Sequence, residues 1–124
     1  MDNNLSQQTT PIIDSKIALT LAGNKHELAR ELLSLLIKGL PASVTAIQSH
    51  VMTHNLIELK LQLHKLKGAC SYCGVIRLKN TILEFENILK QQHTDRVASA
   101  FKKLEFEAQQ LTAEALKLGA ETHE

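Results

Sequence analysis

Apolar residues return every three or four positions along most of this chain, and no other feature constrains its fold as tightly. Leu28, Leu32, Leu35, Leu36, Leu40, Val44, Ile47 and Val51 form a first stripe. Leu56, Leu59, Leu63, Leu66, Cys70 and Cys73 form a second, in steps of 3, 4, 3, 4 and 3. Val75, Leu78, Ile82, Phe85 and Leu89 make the third, and Val97, Phe101, Leu104, Ala108, Leu111, Ala115 and Leu118 the fourth. An α-helix turns once every ~3.6 residues, so each stripe collects on one helical face and must bury against another. Four such faces joined by short connections predict an all-α, antiparallel four-helix bundle. Ile13, Ile17 and Leu21 repeat the spacing on a smaller scale. They predict a short additional N-terminal helix over residues 14–22 that ends at Gly23 and packs across one end of the bundle.

Composition agrees with helices. Of the 124 residues 44% are hydrophobic but only 3% aromatic, and five Gly and two Pro leave little material for the turns of a β-sandwich. The length suits one domain. We expect a polar linker or tail over residues 1–10, the bundle over 11–119 and a tail over 120–124. Asn24 with Glu27, and Asn55 with Glu58, read as capping boxes with Asn in place of Ser or Thr. Thr94-Asp95 reads as the start of the last helix, and Gly74 as the stop after the second stripe. Pro41 conflicts with the first stripe, because an interior Pro costs ~3 kcal/mol. The stripe keeps its phase across Pro41, so a kinked helix is expected rather than a broken one.

Several function classes are disfavoured at once. A formal net charge of +1 gives no general attraction to nucleic acid or to an anionic membrane. The polar first ten residues lack the apolar segment of a signal peptide, and no apolar run is read as approaching the ~20 residues that span a bilayer. Two cysteines make no disulfide framework. Both lie on the second stripe, where a thiol packs as a small hydrophobe, and a redox Cys-x-x-Cys would follow a strand, of which there is no sign. No glycine-rich phosphate loop offers an ATP site. These features together point to the cytoplasm.

His64 stands apart from this pattern. It directly follows Leu63, so it leaves the apolar seam and faces solvent. Its helical neighbours three and four positions away are Leu61, Lys60, Lys67 and Gly68. A Gly inside a helix costs about 1 kcal/mol relative to Ala. Gly68, one turn after His64, removes the side chain that would crowd the imidazole. Lys60, Lys65 and Lys67 make a local cationic cluster. Such charges favour a neutral, nucleophilic imidazole and offset the charge of a phosphoryl group placed on it, Lys67 being best situated. The residues alone leave two other readings open. One is an adaptor bundle in which His64 is incidental, which gives no reason for Gly68. The other is a small metal-binding bundle using His50 and His54, four positions apart, or the cysteines, although no acidic partner lies nearby in sequence.

The run His64-Lys65-Leu66-Lys67-Gly68-Ala69-Cys70-Ser71-Tyr72-Cys73-Gly74 closely resembles the signature of histidine-containing phosphotransfer (HPt) domains, H-x-L-K-G followed by small residues and a second Gly. Ile13-Asp14, Leu21-Ala22-Gly23, the run from Glu27-Leu28 to Leu33, and Leu40-Pro41 are similar to that family's opening. With helix order and spacing included, the resemblance covers residues 12–118. The stretch Ser71-Tyr72-Cys73-Gly74-Val75 with Arg77-Leu78 resembles the C-terminal HPt domain of BarA/GacS-type hybrid sensor kinases. Cys70 and Cys73 depart from the pattern, at small positions often taken by Ala or Gly.

The resemblance implies that His64 is phosphorylated on Nε2, that Lys67 assists electrostatically and that Gly68 provides access. It places Glu86 of the next helix beside the imidazole, where it would accept a hydrogen bond from Nδ1–H, with Lys90 one turn further adding charge and Lys60 and Lys65 in support. Ile13, Ile17, Ile57 and Leu61 would serve as core or as an apolar docking patch for a partner. The implied role is a phosphorelay intermediate, which takes a phosphoryl group from one response-regulator receiver domain and passes it to another. Such a domain is a phosphocarrier rather than an enzyme. It is expected to need no cofactor of its own, since the receiver supplies Mg²⁺, and to be monomeric and cytoplasmic, either free or tethered to a sensor histidine kinase. Neither nucleic acid nor direct membrane contact is expected.

Overall fold

Asp14 opens the regular structure. Its side chain accepts a hydrogen bond from the Ile17 N–H at 3.0 Å and caps α1 (Ser15–Leu21). The computed structural model describes residues 10–122, with side chains to Gly119, and all regular structure among the described residues is helical. Gly23 and Asn24 take positive φ values of 66° and 65°, and the Asn24 N–H donates to the Leu19 carbonyl at 2.8 Å. Asn24 therefore closes α1 instead of opening the following helix, a conformation that Asn tolerates better than most residues. The expected capping box with Glu27 does not form. α2 (His26–Met52) begins after Lys25, which makes no side-chain cap bond.

α2 passes through Pro41 without a break. Pro41 is exposed, so its ring lies on the solvent side of the helix and not in the core. Contrary to the sequence expectation, α2 is by length and composition alone apolar enough to cross a bilayer. Its Leu36, Leu40 and Ile47 are nevertheless buried in the bundle core, and a bundle helix can satisfy the same criterion.

α3 (Leu56–Cys70) is capped by Asn55, whose Oδ1 accepts from the Glu58 N–H at 3.3 Å, while the Asn55 N–H donates to the His50 carbonyl at 2.9 Å, so only half of the expected capping box forms. α4 (Ile76–Lys90) follows the turn at Gly74. Thr94 starts a single 3₁₀ turn, Thr94–Arg96, which leads into α5 (Val97–Thr122) and so precedes the last helix rather than beginning it. The helix continues beyond residue 120, where a tail was expected. Apart from Thr10, the expected N-terminal tail lies outside the described residues.

Each long helix packs on the next, and α5 returns to α2, which closes the antiparallel ring. Ile47, Leu59, Leu63, Leu78, Ile82, Phe85, Leu104 and Leu111 fill its centre. Leu28 and Leu35 belong to the first stripe yet are 39% and 67% exposed. Leu36, next to Leu35, is 6% exposed, and at about 100° per residue Leu35 falls on the side of α2 turned away from Leu36, Leu40 and Ile47. α2 and α5 have 27 and 26 residues against 15 each for α3 and α4. The start of α2 and the end of α5 therefore project past the α3–α4 turn, and α1 lies against α2.

Gly74 joins the N-terminal segment to that turn. Its φ is +68°, and its carbonyl accepts from the Asp14 N–H at 2.8 Å. A Cβ on it would stand 2.6 Å from the Asp14 carbonyl oxygen and 2.9 Å from the Ala18 nitrogen. Nearby, the buried Cys73 thiol donates to the carbonyls of Ala69 and Leu32 at 3.4 and 3.5 Å. Arg77 of α4 pairs with the buried Glu107 of α5 at 3.0 Å.

Candidate functional site

Ile57, Leu61, His64 and Gly68 share one face of α3, opposite the core residues Leu59, Leu63, Leu66 and Cys70. All of that outer face is exposed, Ile57 by 79% and Leu61 by 44%. His64 thus points outward, as the alternation with Leu63 requires. A Cβ on Gly68 would meet nothing within 4 Å, so no packing inside the chain calls for a glycine there. Gly39 and Gly119 are equally open helical glycines. What distinguishes Gly68 is its place one turn from the only histidine on this face.

Lys67 and Glu86 meet across α3 and α4, with Nζ donating to Oε1 at 2.9 Å and side-chain exposures of 27% and 24%. The expected hydrogen bond from His64 to Glu86 is absent among the described residues, and Glu86 serves Lys67 instead. The cause is geometric. Lys67 sits on the flank of α3 that faces α4, and its long side chain crosses to Glu86, whereas the shorter imidazole stands on the outer face. The Ser71 hydroxyl donates to the Lys67 carbonyl at 3.0 Å in the last turn of α3.

The cationic cluster divides. At about 100° per residue, Lys60 falls on the same flank as Lys67 and Lys65 on the opposite one. All of Lys60, Lys65 and Lys90 are exposed. Because α3 and α4 run antiparallel, the Lys67–Glu86 pairing brings Lys90, one turn after Glu86, to the level of His64. Lys90 makes no ion pair among the described residues. The residues offered as core or docking patch separate as well. Ile13 is half-buried against the core, while Ile17 of α1 is 41% exposed.

Concave surface lies elsewhere. A groove of about 690 Å³ runs between α1, the start of α2 and the end of α5, and a smaller one of about 340 Å³ lies between α4 and α5. Neither is lined by His64, Lys67 or Glu86. The histidine stands on open surface, which suits contact with another protein more than capture of a small molecule. Burial pushes the Cys70 thiol up to about 12, with neighbouring Cys73 adding to it, and burial raises the Cys73 thiol too. Both cysteines are free and buried, and thiols so placed are inert packing groups. His50 lies in the last turn of α2 and His54 in the following turn with φ 57°, and no metal-binding cluster gathers around them among the described residues.

The feature that sequence reasoning missed here is the partner of Lys67. The basic and acidic residues were both singled out, but their pairing depends on how α3 and α4 are aligned. Arg77–Glu107 escaped notice for the same reason, although a Glu on the seam between Leu104, Ala108 and Leu111 was a signal that a buried cation would be needed.

Known proteins are similar to this chain in sequence and in fold. The family model described as Hpt domain matches residues 31–118, from the first turns of α2 to the end of α5. Sensor protein GacS of Pseudomonas syringae pv. syringae is 35% identical over 74% of this chain and 10% of its own length. Signal transduction histidine-protein kinase BarA of Escherichia coli K12 is 32% identical over 71% of this chain and 10% of its own. The crystal structure of the HPT domain from the Hpt sensor hybrid histidine kinase from Shewanella superposes with a TM-score of 0.79 at 27% identity, covering 89% of this chain and 95% of that one. The chain spans about a tenth of the length of the curated relatives it matches. With its bundle, its exposed histidine and its matched span taken together, the chain belongs to the Hpt domain family.

Proposed function

We propose that this domain is a phosphorelay intermediate, which carries a phosphoryl group on His64 Nε2 between the receiver domains of response regulators. The observation that carries this reading is the exposed His64 on the outer face of α3, with open space at Gly68 one turn away and Lys67 on its flank. The Nε2 lone pair of a neutral imidazole forms the N–P bond. The P–O bond to the receiver's aspartyl phosphate breaks, and its electron pair returns to the aspartate carboxylate. The ring keeps its Nδ1 proton in the first product, so total charge is conserved.

Acidic residues and Mg²⁺ belong to the receiver, and this domain contributes the nucleophile and the surface. Ile57 and Leu61 supply apolar contact on one side of His64, and Gly68 leaves the other side clear for a second protein. Lys90, level with His64, adds positive field. The relatives are sensor kinases, so tethering to such a kinase at its cytoplasmic end belongs to the same reading.

Transfer from a labelled, phosphorylated receiver domain tests it, comparing wild type with His64→Gln. Acid-labile, base-stable label should appear on the wild type only. Label on neither protein, after several receivers have been tried, would favour an adaptor role and leave His64 incidental.

A further inference from the structure

Glu86 is not where a partner of His64 would be; it is where a partner of Lys67 is. From this we infer that Glu86 is a counterion that limits how tightly the phosphoryl group is held on His64, an inference that rests on the phosphorelay reading above. Lys67 lies three residues after His64 on α3, within one helical turn. Its ammonium has three donors, and Glu86 Oε1 takes one at 2.9 Å. Both side chains are about three-quarters buried, so their charges are less screened than those of a surface pair.

The consequence is electrostatic. A lone Lys67 would present one positive charge to an incoming phosphoryl group. Paired with Glu86, the two present nearly none, and the phosphoryl oxygens must share the ammonium with a carboxylate already in place. The transfer itself is the one written above: the N–P bond forms at Nε2, the P–O bond to the receiver breaks, and the electron pair leaves with the aspartate carboxylate. Glu86 takes no covalent part. It raises the free energy of the phosphorylated domain relative to the phosphorylated receiver, and so keeps the group transferable in both directions. A carboxylate bonded to Nδ1–H would act with the opposite sign, since it would stabilise the protonated ring of the first product.

That difference in sign makes the inference testable. The equilibrium of phosphoryl groups between a receiver and this domain is measured for wild type, Glu86→Gln, Glu86→Asp and Lys67→Met. Direct labelling by phosphoramidate provides a check that needs no receiver. Glu86→Gln should move the equilibrium roughly threefold to tenfold toward the phosphorylated domain, and less at high salt. Glu86→Asp, which keeps the charge, should stay near wild type, and Lys67→Met should move the equilibrium the other way. Unchanged thermal melting of Glu86→Gln separates this effect from a structural one. An unchanged equilibrium in Glu86→Gln, or one displaced toward the receiver, overturns the inference while leaving the relay intact. Wild-type protein that takes no label from phosphoramidate or from any receiver overturns both.

Discussion

Two regions of this bundle each contain a glycine and an ion pair, and the same ingredients serve different ends in them. Near the α3–α4 turn, Gly74 admits Asp14 and Ala18 within contact distance, and Arg77 meets Glu107 at side-chain exposures of 17% and 4%. On the outer face of α3, a Cβ on Gly68 would meet nothing within 4 Å, and on the adjoining flank Lys67 meets Glu86 at 27% and 24%. The first region uses its glycine to let backbone pass backbone and its charges to satisfy one another in the core. Even so, Arg77 Nε and Glu107 Oε1 remain buried without a protein partner, so this pair is held for geometry at some energetic cost. The second region uses its glycine to keep a surface clear and leaves its charges partly open to exchange. A chemical part needs reachable atoms, and a structural joint needs unreachable ones.

Removing one half of the buried pair should have the largest effect. Glu107→Ala leaves Arg77 enclosed without its counterion and should lower stability by about 3 kcal/mol. The double change Arg77→Met with Glu107→Leu should recover most of that loss in denaturant titrations. A single variant as stable as wild type would erase the contrast between the two pairs, since the Lys67–Glu86 pair, about a quarter exposed, is itself expected to contribute at most about 1 kcal/mol.

The two glycines should respond with opposite signs. Gly74→Ala forces a side chain into a left-handed backbone against Asp14 and should cost about 2 kcal/mol. Gly68→Ala should instead stabilise the helix, by up to about 1 kcal/mol, while slowing transfer from a receiver. Faster or unchanged transfer in Gly68→Ala would remove the argument that this glycine serves access.

Alkali should probe the buried region separately. The Cys70 thiol holds its proton up to about 12 in the folded chain, against 9.0 for a free thiol. Between these values the unfolded chain has lost a proton that the folded chain keeps, so stability falls as pH rises. The contribution is fully present below pH 9.0 and declines toward about 12, with a slope of at most about 1.4 kcal/mol per pH unit. Cys70→Ala should flatten that decline in denaturant titrations run across the same range; an unchanged slope would mean that the thiol is not held protonated by burial.

How much of this was legible beforehand depended on the range of the interaction. Leu63 and His64 are adjacent, and helical rotation alone sends one inward and the other outward. Asn55 capped α3 where its spacing to Glu58 indicated. Asn24, with the same spacing to Glu27, did not cap, because Gly23 and Asn24 were taken up in closing α1. The two motifs are locally alike, and only the preceding helix distinguishes them. Leu35 and Leu36 both fit the apolar spacing, yet only Leu36 is buried, because at about 100° per residue Leu35 turns away from the face that Leu36, Leu40 and Ile47 present to the core.

Periodicity by itself therefore determined the number of long helices, their antiparallel order and the outward face of His64 with Gly68 beside it. These are properties of one helix or of short connections, and a turn of 3.6 residues contains them. Tertiary structure alone decided which charges meet: Lys67 with Glu86, and Arg77 with Glu107. The axial register of neighbouring helices is set by the combined packing of side chains such as Leu63, Phe85 and Leu104, and no local spacing carries that sum.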